Sequence, residues 1–314
     1  MFCTLFFVPS LPQMTTLSIL IPTYNSDCVQ LVSALSAQVQ AIEGLDCEIV
    51  VSDDGSTRTD IMEHNRQVST MPMVRYVEQS KNLGRAAHRN LLAGMAKHPW
   101  LLFIDSHMAV RDDSFVRRYV EQIEARAGEE FVCYGGYETV PPPEGRQSLR
   151  YIYEKKYTDG HTASVRQQHE HQEFHTCNFL VPHSVMLRYP FDERLRGYGY
   201  EDVLWGKVLS EAAVPVCHID NALFFDRFES NESYMLKTEE ALRSLHDMSG
   251  QMRGYSRLLA LSDKLRRWHL SGAVRLWHRL TGGMERRHLC GQRPTLLVFN
   301  LYRLGYLLRI QHQP

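Results

Sequence analysis

The chain has 314 residues, 44% hydrophobic and 23% charged, ordinary values for a globular protein with room for a substantial core. A formal charge of -1 gives no global reason to expect a nucleic-acid partner. Seven scattered cysteines without a paired CxxC spacing argue against a disulfide framework and for a reducing, cytoplasmic setting.

The opening "MFCTLFFVPSLPQM" is apolar but has no basic flank and is too short to span a bilayer. Residues 1–13 are therefore expected to be a dispensable extension. "LSILI" (17–21) reads as a buried strand and "PTYNSD" as the loop after it. "VQLVSALSAQVQAI" (29–42) has helical spacing, and "CEIVVS" (47–52) is a second buried strand. "DDGST" breaks it, a polar helix follows, and "MVRYVEQ" (73–79) is a third strand. "NLGRAAHRNLLAGMAKH" is loop then helix, and "WLLFID" is a fourth strand. Continuous apolar strands alternating with helices predict an α/β protein with a Rossmann-like, doubly wound, mostly parallel sheet. Ligands of such sheets lie beyond the carboxyl ends of the strands, where Asp53, Asp54 and Asp105 stand.

"ETVPPPEGR" (138–146) punctuates the chain. From about Glu239 the sequence is helical in character, basic and aromatic. The expected organisation is a catalytic domain over 14–238, with a nucleotide half at about 17–110 and an acceptor half at about 131–238. A helical C-terminal region would follow over 239–314.

Several clusters admit two readings. Asp105, Ser106 and His107 form an ordinary turn, or the start of a metal site, since residues i and i+2 of an extended segment share a side. Asp53 and Asp54 are helix starters, or acceptors for the ring N–H of a nucleotide base. Asn82 and Gly84 precede a helix bearing Arg85 and Arg89 one turn apart; these arginines are solvated surface, or contacts for a diphosphate or base. Glu201 and Asp202 follow a Gly–Tyr–Gly turn expected to be mobile. One of them caps a helix through its dipole, or one serves as a general base near a sugar acceptor. In "HEHQEFH" (169–175), His171 and His175 are four apart on what could be a helix, but the zinc-protease spacing fails at Glu173, and hydrogen-bonded histidines are the plainer reading.

Taken together, "SILIPTYN", "EIVVSDDGST", "NLGRAAHRN", "FIDSH" and "GYGYEDVLWG" resemble, in this order, the family 2 glycosyltransferases of the GT-A fold over residues 17 to 230. The resemblance implies transfer of a sugar from a nucleotide diphosphate, by family habit UDP, to a hydroxyl of a glycan or lipid-linked glycan. It assigns base binding to Asp54 with Asp53 beside it. The nucleotide site read from these segments also takes in Pro22, Tyr24, Asn82, Gly84, Arg85, Arg89, Asp105 and Ser106. The family's DxD motif falls on Asp105, Ser106 and His107, a DxH variant similar to the DSH of polypeptide N-acetylgalactosaminyltransferases. Asp105 and His107 would then hold a divalent cation, the imidazole tilting preference from Mg²⁺ toward Mn²⁺. The ED pair falls on Glu201 and Asp202, with Asp202 the favoured base of an inverting reaction. A later histidine ligand of the family is replaced by Phe225, leaving Asp226 or His218 as substitutes.

Alternatives are a nucleotide-sugar-binding protein without transfer activity, or a nucleotidyltransferase. The second would carry a glycine-rich basic loop after its first strand, and "PTYNSDCVQ" has neither glycine nor base. "KLRRWHLSGAVRLWHRL" (264–280) mixes arginines with tryptophans. It suits a helix lying peripherally on the inner face of a membrane, or one packed on the catalytic domain with its tryptophans in the core.

Overall fold

The computed structural model describes residues 14–142, 147–225 and 229–312. The N-terminal extension and Asp226 lie outside the described residues. Strands β1 (Thr15–Thr23), β2 (Leu45–Asp53), β3 (Val74–Glu78) and β4 (Trp100–Ile104) alternate with helices α1 (Val29–Gln40), α2 (Thr59–Arg66) and α3 (Arg85–Met95). Then come β5 (Met108–Ala109), α4 (Phe115–Ala125), β6 (Val132–Tyr134), β7 (Tyr137–Thr139), α5 (Leu149–Thr158), α6 (Ala163–Arg166), β8 (Asn178–Pro182) and α7 (His183–Arg188). The chain continues through α8 (Glu201–Glu211), β9 (Val216–His218), β10 (Leu223–Phe225), α9 (Asn231–Asp247), α10 (Arg257–Arg267), α11 (Ser271–Cys290) and α12 (Leu296–Ile310).

The main sheet has the order β3-β2-β1-β4-β8-β6-β9. The strands from β3 to β4 are parallel, and β8 is antiparallel to both β4 and β6. Both faces are covered, which is why the strands read as unbroken apolar runs. Leu17, Ile19 and Ile21 of β1 pack with Leu31, Val32, Leu35 and Val39 of α1 on one face. Leu20, Val50, Leu101 and Phe103 pack with Leu92, Phe179 and Trp205 on the other. A small sheet, β5-β10-β7, brings Phe225 antiparallel to Met108, just past the end of β4.

The C-terminal helices share a third cluster with the catalytic part: Tyr234, Met235, Leu242, Phe299 and Tyr302 pack with Leu149, Leu195 and Leu204. The expected division at 238/239 falls inside α9, which runs unbroken from Asn231 to Asp247, so the helical region begins earlier than the composition suggested. The structure also departs from the core-packed reading of the tryptophans. Trp268 is 59% and Trp277 is 56% exposed, because α10 and α11 bury other residues. No helix among the described residues is long and apolar enough to cross a membrane.

Candidate active site

Beyond the carboxyl ends of β1, β2 and β4 lies an open cleft of about 440 Å³. Pro22, Tyr24, Asp54, Asn82, Gly84, Arg85, Arg89, Asp105, Ser106 and His107, all expected from the sequence, line it together. Asp53, Glu201 and Asp202 are not part of the lining.

The two strand-end aspartates divide their work. Asp53 is wholly buried; its carboxylate accepts from the Ser56 backbone N–H at 2.6 Å and from the Tyr76 hydroxyl at 3.2 Å. It braces the turn from beneath. Asp54 reaches the cleft and accepts from the backbone N–H of Leu83 at 2.8 Å and of Gly84 at 3.1 Å. Burial raises its carboxyl above the usual range, Asp53 adding to this, while the two N–H donors oppose the shift. A carboxylate has lone pairs beyond the two used here, so a ring N–H can still be accepted.

Asp105 ends β4 with Arg89 Nη2 at 2.8 Å, and Arg89 is only 2% exposed. Burial alone would raise the Asp105 carboxyl, but Arg89, His107 and Arg85 outweigh it and hold the group below the ordinary carboxylate range. His107 stands beside it, its ring edge-on to Phe225 at 5.3 Å. Burial drives this imidazole down to about 3 against the pull of Asp105, so it is neutral with a lone pair free to coordinate. A carboxylate held ionised and a neutral imidazole form a donor set that fits a divalent cation. Among the described residues no group of three metal-binding side chains is assembled, so such a cation would need ligand oxygens from a diphosphate. His218 does not supply a third ligand, contrary to one expectation. Its Nδ1 accepts from Arg166 and its Nε2 lies 2.8 Å from the Glu170 carbonyl, away from the cleft.

Glu201 is buried beneath the arginines, 3.4 Å from Arg85 Nη1 and 3.6 Å from Arg89 Nη1. Its carboxylate faces both guanidinium groups. Arg89 Nε and Nη1 and Glu201 Oε2 are buried without hydrogen-bond partners, a departure from normal satisfaction of the kind found where a site awaits a ligand or water. Asp202, next to Glu201 but outside the cleft lining, pairs with a histidine: Oδ2 is 2.9 Å from His175 Nδ1, and Oδ1 accepts from the Val203 N–H at 2.8 Å. Burial would raise the Asp202 carboxyl, but the bond and charge of His175 bring it below the usual range. Burial would likewise lower His175, yet Asp202 raises it above the ordinary imidazole value. Each partner thus favours the charged form of the other.

His171 and His175 are not one turn apart on a helix, as the metal reading required. His171 Nε2 meets the Val214 carbonyl at 2.8 Å while His175 meets Asp202. The Gly–Tyr–Gly turn, expected to be mobile, has contacts on both sides. The Tyr198 N–H donates to Glu240 at 3.0 Å, and Arg85 lies 4.5 Å over the Tyr198 ring.

The sequence reading missed His88, Arg150, Arg196, Tyr198, Glu229 and Lys237, all of which line the cleft. Arg150 lies 4.0 Å over the Phe225 ring and pairs with Glu229 at 3.0 Å, while Lys237 meets the same carboxylate at 2.7 Å. With Arg85, Arg89 and Arg196 they give the cleft five cationic side chains, set among the carboxylates of Asp54, Asp105, Glu229 and Glu240. Arg150 and Lys237 come from helices without any local signature; only the basic residues of "LRYIYEKKYT" hinted at the first.

A largely parallel seven-stranded sheet with helices on both faces and a cleft at the carboxyl ends of its strands is the architecture of the GT-A fold. The family model for glycosyl transferase family 2 matches residues 18–195, so the chain belongs to this family. Among curated relatives, validoxylamine A glucosyltransferase of Streptomyces hygroscopicus subsp. limoneus is 29% identical over 228 residues, 64% of this chain and 49% of that protein. An uncharacterized glycosyltransferase of Haemophilus influenzae is 29% identical over 34% of this chain and 42% of its own length. The chain thus spans about half the length of the curated relatives it matches. The mannosyltransferase PcManGT of Pyrobaculum calidifontis, solved with GDP-Man and Mn²⁺, superposes with a TM-score of 0.57 at 13% identity, covering 94% of this chain and 85% of that one. TarS 1-349 of S. aureus superposes at 0.53 with 15% identity, covering 94% and 92%. These likenesses establish the fold.

Proposed function

We propose that the protein transfers a sugar from a nucleotide diphosphate donor to a hydroxyl acceptor by single displacement with inversion. The observation that carries this reading is the convergence of Asp105, His107 and five cationic side chains on the acidic strand ends within one cleft. Asp54 and the Asn82–Gly84 segment receive the base; UDP is favoured because a TarS structure contains UDP-GlcNAc. Arg85, Arg89, Arg150 and Lys237 face the diphosphate. Asp105 and His107 hold Mn²⁺ or Mg²⁺, which when bound offsets charge on the departing diphosphate. Such a cation accompanies two related structures, PcManGT and the glucosyl-3-phosphoglycerate synthase of Mycobacterium tuberculosis.

In the reaction, the acceptor oxygen attacks the anomeric carbon as its bond to the diphosphate breaks. Asp202 takes the acceptor proton, and Glu201 positions the arginines. The transferred group is a hexose or N-acetylhexosamine, and the acceptor a glycan or lipid-linked glycan of polysaccharide synthesis at the cytoplasmic side of a membrane.

Nucleotide-sugars screened for thermal stabilisation with and without Mn²⁺, followed by product analysis, test the reading. Stabilisation by a UDP-sugar with glycoside product supports it. Binding with neither transfer nor hydrolysis points to a protein that only holds nucleotide-sugars. Pyrophosphate release from a nucleoside triphosphate and a sugar phosphate points to nucleotidyl transfer.

A further inference from the structure

The near-zero net charge conceals a strongly polarised chain. Residues 251–314 hold twelve Lys and Arg against two Asp and Glu, a formal charge of +10, which leaves -11 on the 250 residues before them. The two acidic residues barely dilute the basic surface: Glu285 is turned inward, accepting from Trp277 Nε1 at 3.1 Å and from the Thr281 hydroxyl at 2.6 Å. Arg266, Arg267, Arg275 and Arg279 form no ion pair with any described residue.

Helix α11 is amphipathic in an unusual sense. The residues it buries are His278, Gly282 and Leu289. Gly305 of α12 lets this face approach closely, since a Cβ there would lie 2.6 Å from His278. Away from that face, Leu276, Leu280 and Met284 recur at four-residue spacing with Trp277 alongside, and each is more than half exposed. Trp268 and Leu270, in the link from α10, are also exposed. Isolated exposed apolar residues need no explanation, but a stripe over residues 276–284 of one helix does. Arg275 and Arg279 flank it. Beside them a cavity of about 200 Å³ is lined by Arg266, Arg275, Gln311 and His312.

We propose that the outward face of α11, with the α10–α11 link, docks peripherally on an anionic phospholipid surface. Leucine, methionine and tryptophan would enter the boundary between headgroups and acyl chains, and the flanking arginines would meet lipid phosphates. A second copy of the chain is a poorer occupant, because pairing these faces would set two +10 regions against each other. The negative remainder of the molecule would be turned away from such a surface. The cleft is one helix removed: Lys237 and Glu240 of α9 line it, while Glu239 of the same helix accepts from Arg286 of α11 at 2.9 Å. This inference does not depend on the proposed transfer reaction.

Co-sedimentation of the full chain with phosphatidylcholine vesicles, with and without phosphatidylglycerol, tests it directly. The protein should pellet with the anionic vesicles at low salt and be released at high salt. Arg275→Glu/Arg279→Glu should weaken partitioning by roughly tenfold or more. Trp277→Ser/Leu280→Ser should do likewise, and Trp277→Phe should retain binding. Trp277, Arg279 and Leu280 are exposed and Arg275 is half-buried, so the melting temperature of each variant is measured alongside and should stay close to that of the parent protein, reporting that the fold is intact. Failure to pellet with anionic vesicles at low salt overturns the proposal, as does equal binding to neutral ones. A dimeric mass by light scattering that Trp277→Ser/Leu280→Ser reduces to a monomer would make the stripe a contact between copies, and also overturns it.

Discussion

Asp105 pairs with Arg89 and, in the proposed function, also holds a cation, two roles that one substitution cannot separate cleanly. With so little packing around a strand-end carboxylate, its removal looks harmless to the fold from sequence alone. Its pairing with buried Arg89 says otherwise, because Asp105→Ala leaves that guanidinium with Glu201 alone at 3.6 Å. Breaking a buried pair from one side costs roughly 3–5 kcal/mol, and the remaining Glu201 should hold the loss to the lower end. Urea denaturation should show this loss for Asp105→Ala and a smaller one for Asp105→Asn, which keeps an acceptor for Arg89. Both variants should lose Mn²⁺-dependent nucleotide binding; near-normal turnover in either would remove Asp105 from the metal site. Asp202→Asn should lower kcat by about 10²–10⁴ with donor affinity nearly unchanged. Its partner His175 adds a pH signature. The Asp202 carboxylate raises His175 above its ordinary 6.5, so the imidazole keeps its proton to a higher pH than a free histidine would. When that proton leaves, Asp202 loses a cationic neighbour and becomes the stronger base. The pair's contribution to stability is present below 6.5 and fades as pH rises through the raised value, so activity should rise while stability falls. His175→Gln keeps a donor for Asp202 but does not titrate, and the alkaline rise in kcat should vanish. A rise that persists in this variant assigns the titration to another group.

At the scale of elements, the turn between β3 and α3 shows how backbone geometry places the site. Gly84 adopts φ +85° and ψ 161°, a combination nearly confined to glycine, and a Cβ there would stand 3.1 Å from the Arg196 carbonyl oxygen. Gly84→Ala should cost roughly 1–3 kcal/mol and weaken donor binding, since the N–H held by Asp54 must shift. Gly94, within α3 and with nothing near its would-be Cβ, is the control: Gly94→Ala should stabilise by about 1 kcal/mol. Denaturation midpoints of opposite sign are the expected outcome. The first four strands and three helices were legible because parallel strands buried on both faces leave long apolar runs. Strands β6, β7, β9 and β10 have three residues each, too few for any period to emerge, and the reversed direction of β8 leaves no mark in composition. The site divides in the same way. Asp54, Asp105 and His107 were visible because strands deliver them, whereas Arg150, Tyr198 and Lys237 arrive from distant segments whose approach only tertiary packing sets.

The molecule as a whole is tied together at α9. Its first turns carry Lys237 and Glu240 into the cleft wall, and Glu239, 8% exposed, accepts from Arg286 at 2.9 Å and from the Tyr302 hydroxyl at 2.7 Å. One helix therefore belongs to both regions that composition had divided at residue 238. Leu149, Leu195 and Leu204 of the catalytic part share a core with Leu242, Leu289 and Phe299 of the C-terminal helices. Each such side chain gains about 1.5–3 kcal/mol from burial, so neither part keeps its stability when the other unfolds. Calorimetry of the full chain should give a single transition with calorimetric and van't Hoff enthalpies in agreement. Glu239→Ala strands the Tyr302 hydroxyl and frees Arg286, and should lower the midpoint of that one transition by the equivalent of about 1–3 kcal/mol. Glu239→Gln keeps an acceptor for Tyr302 and should recover part of the loss. If Glu239→Ala instead splits the trace, with a C-terminal event melting before an unshifted main transition, the helices are a separate domain resting on the catalytic part. The division near residue 238 would then describe the thermodynamics even though α9 runs through it.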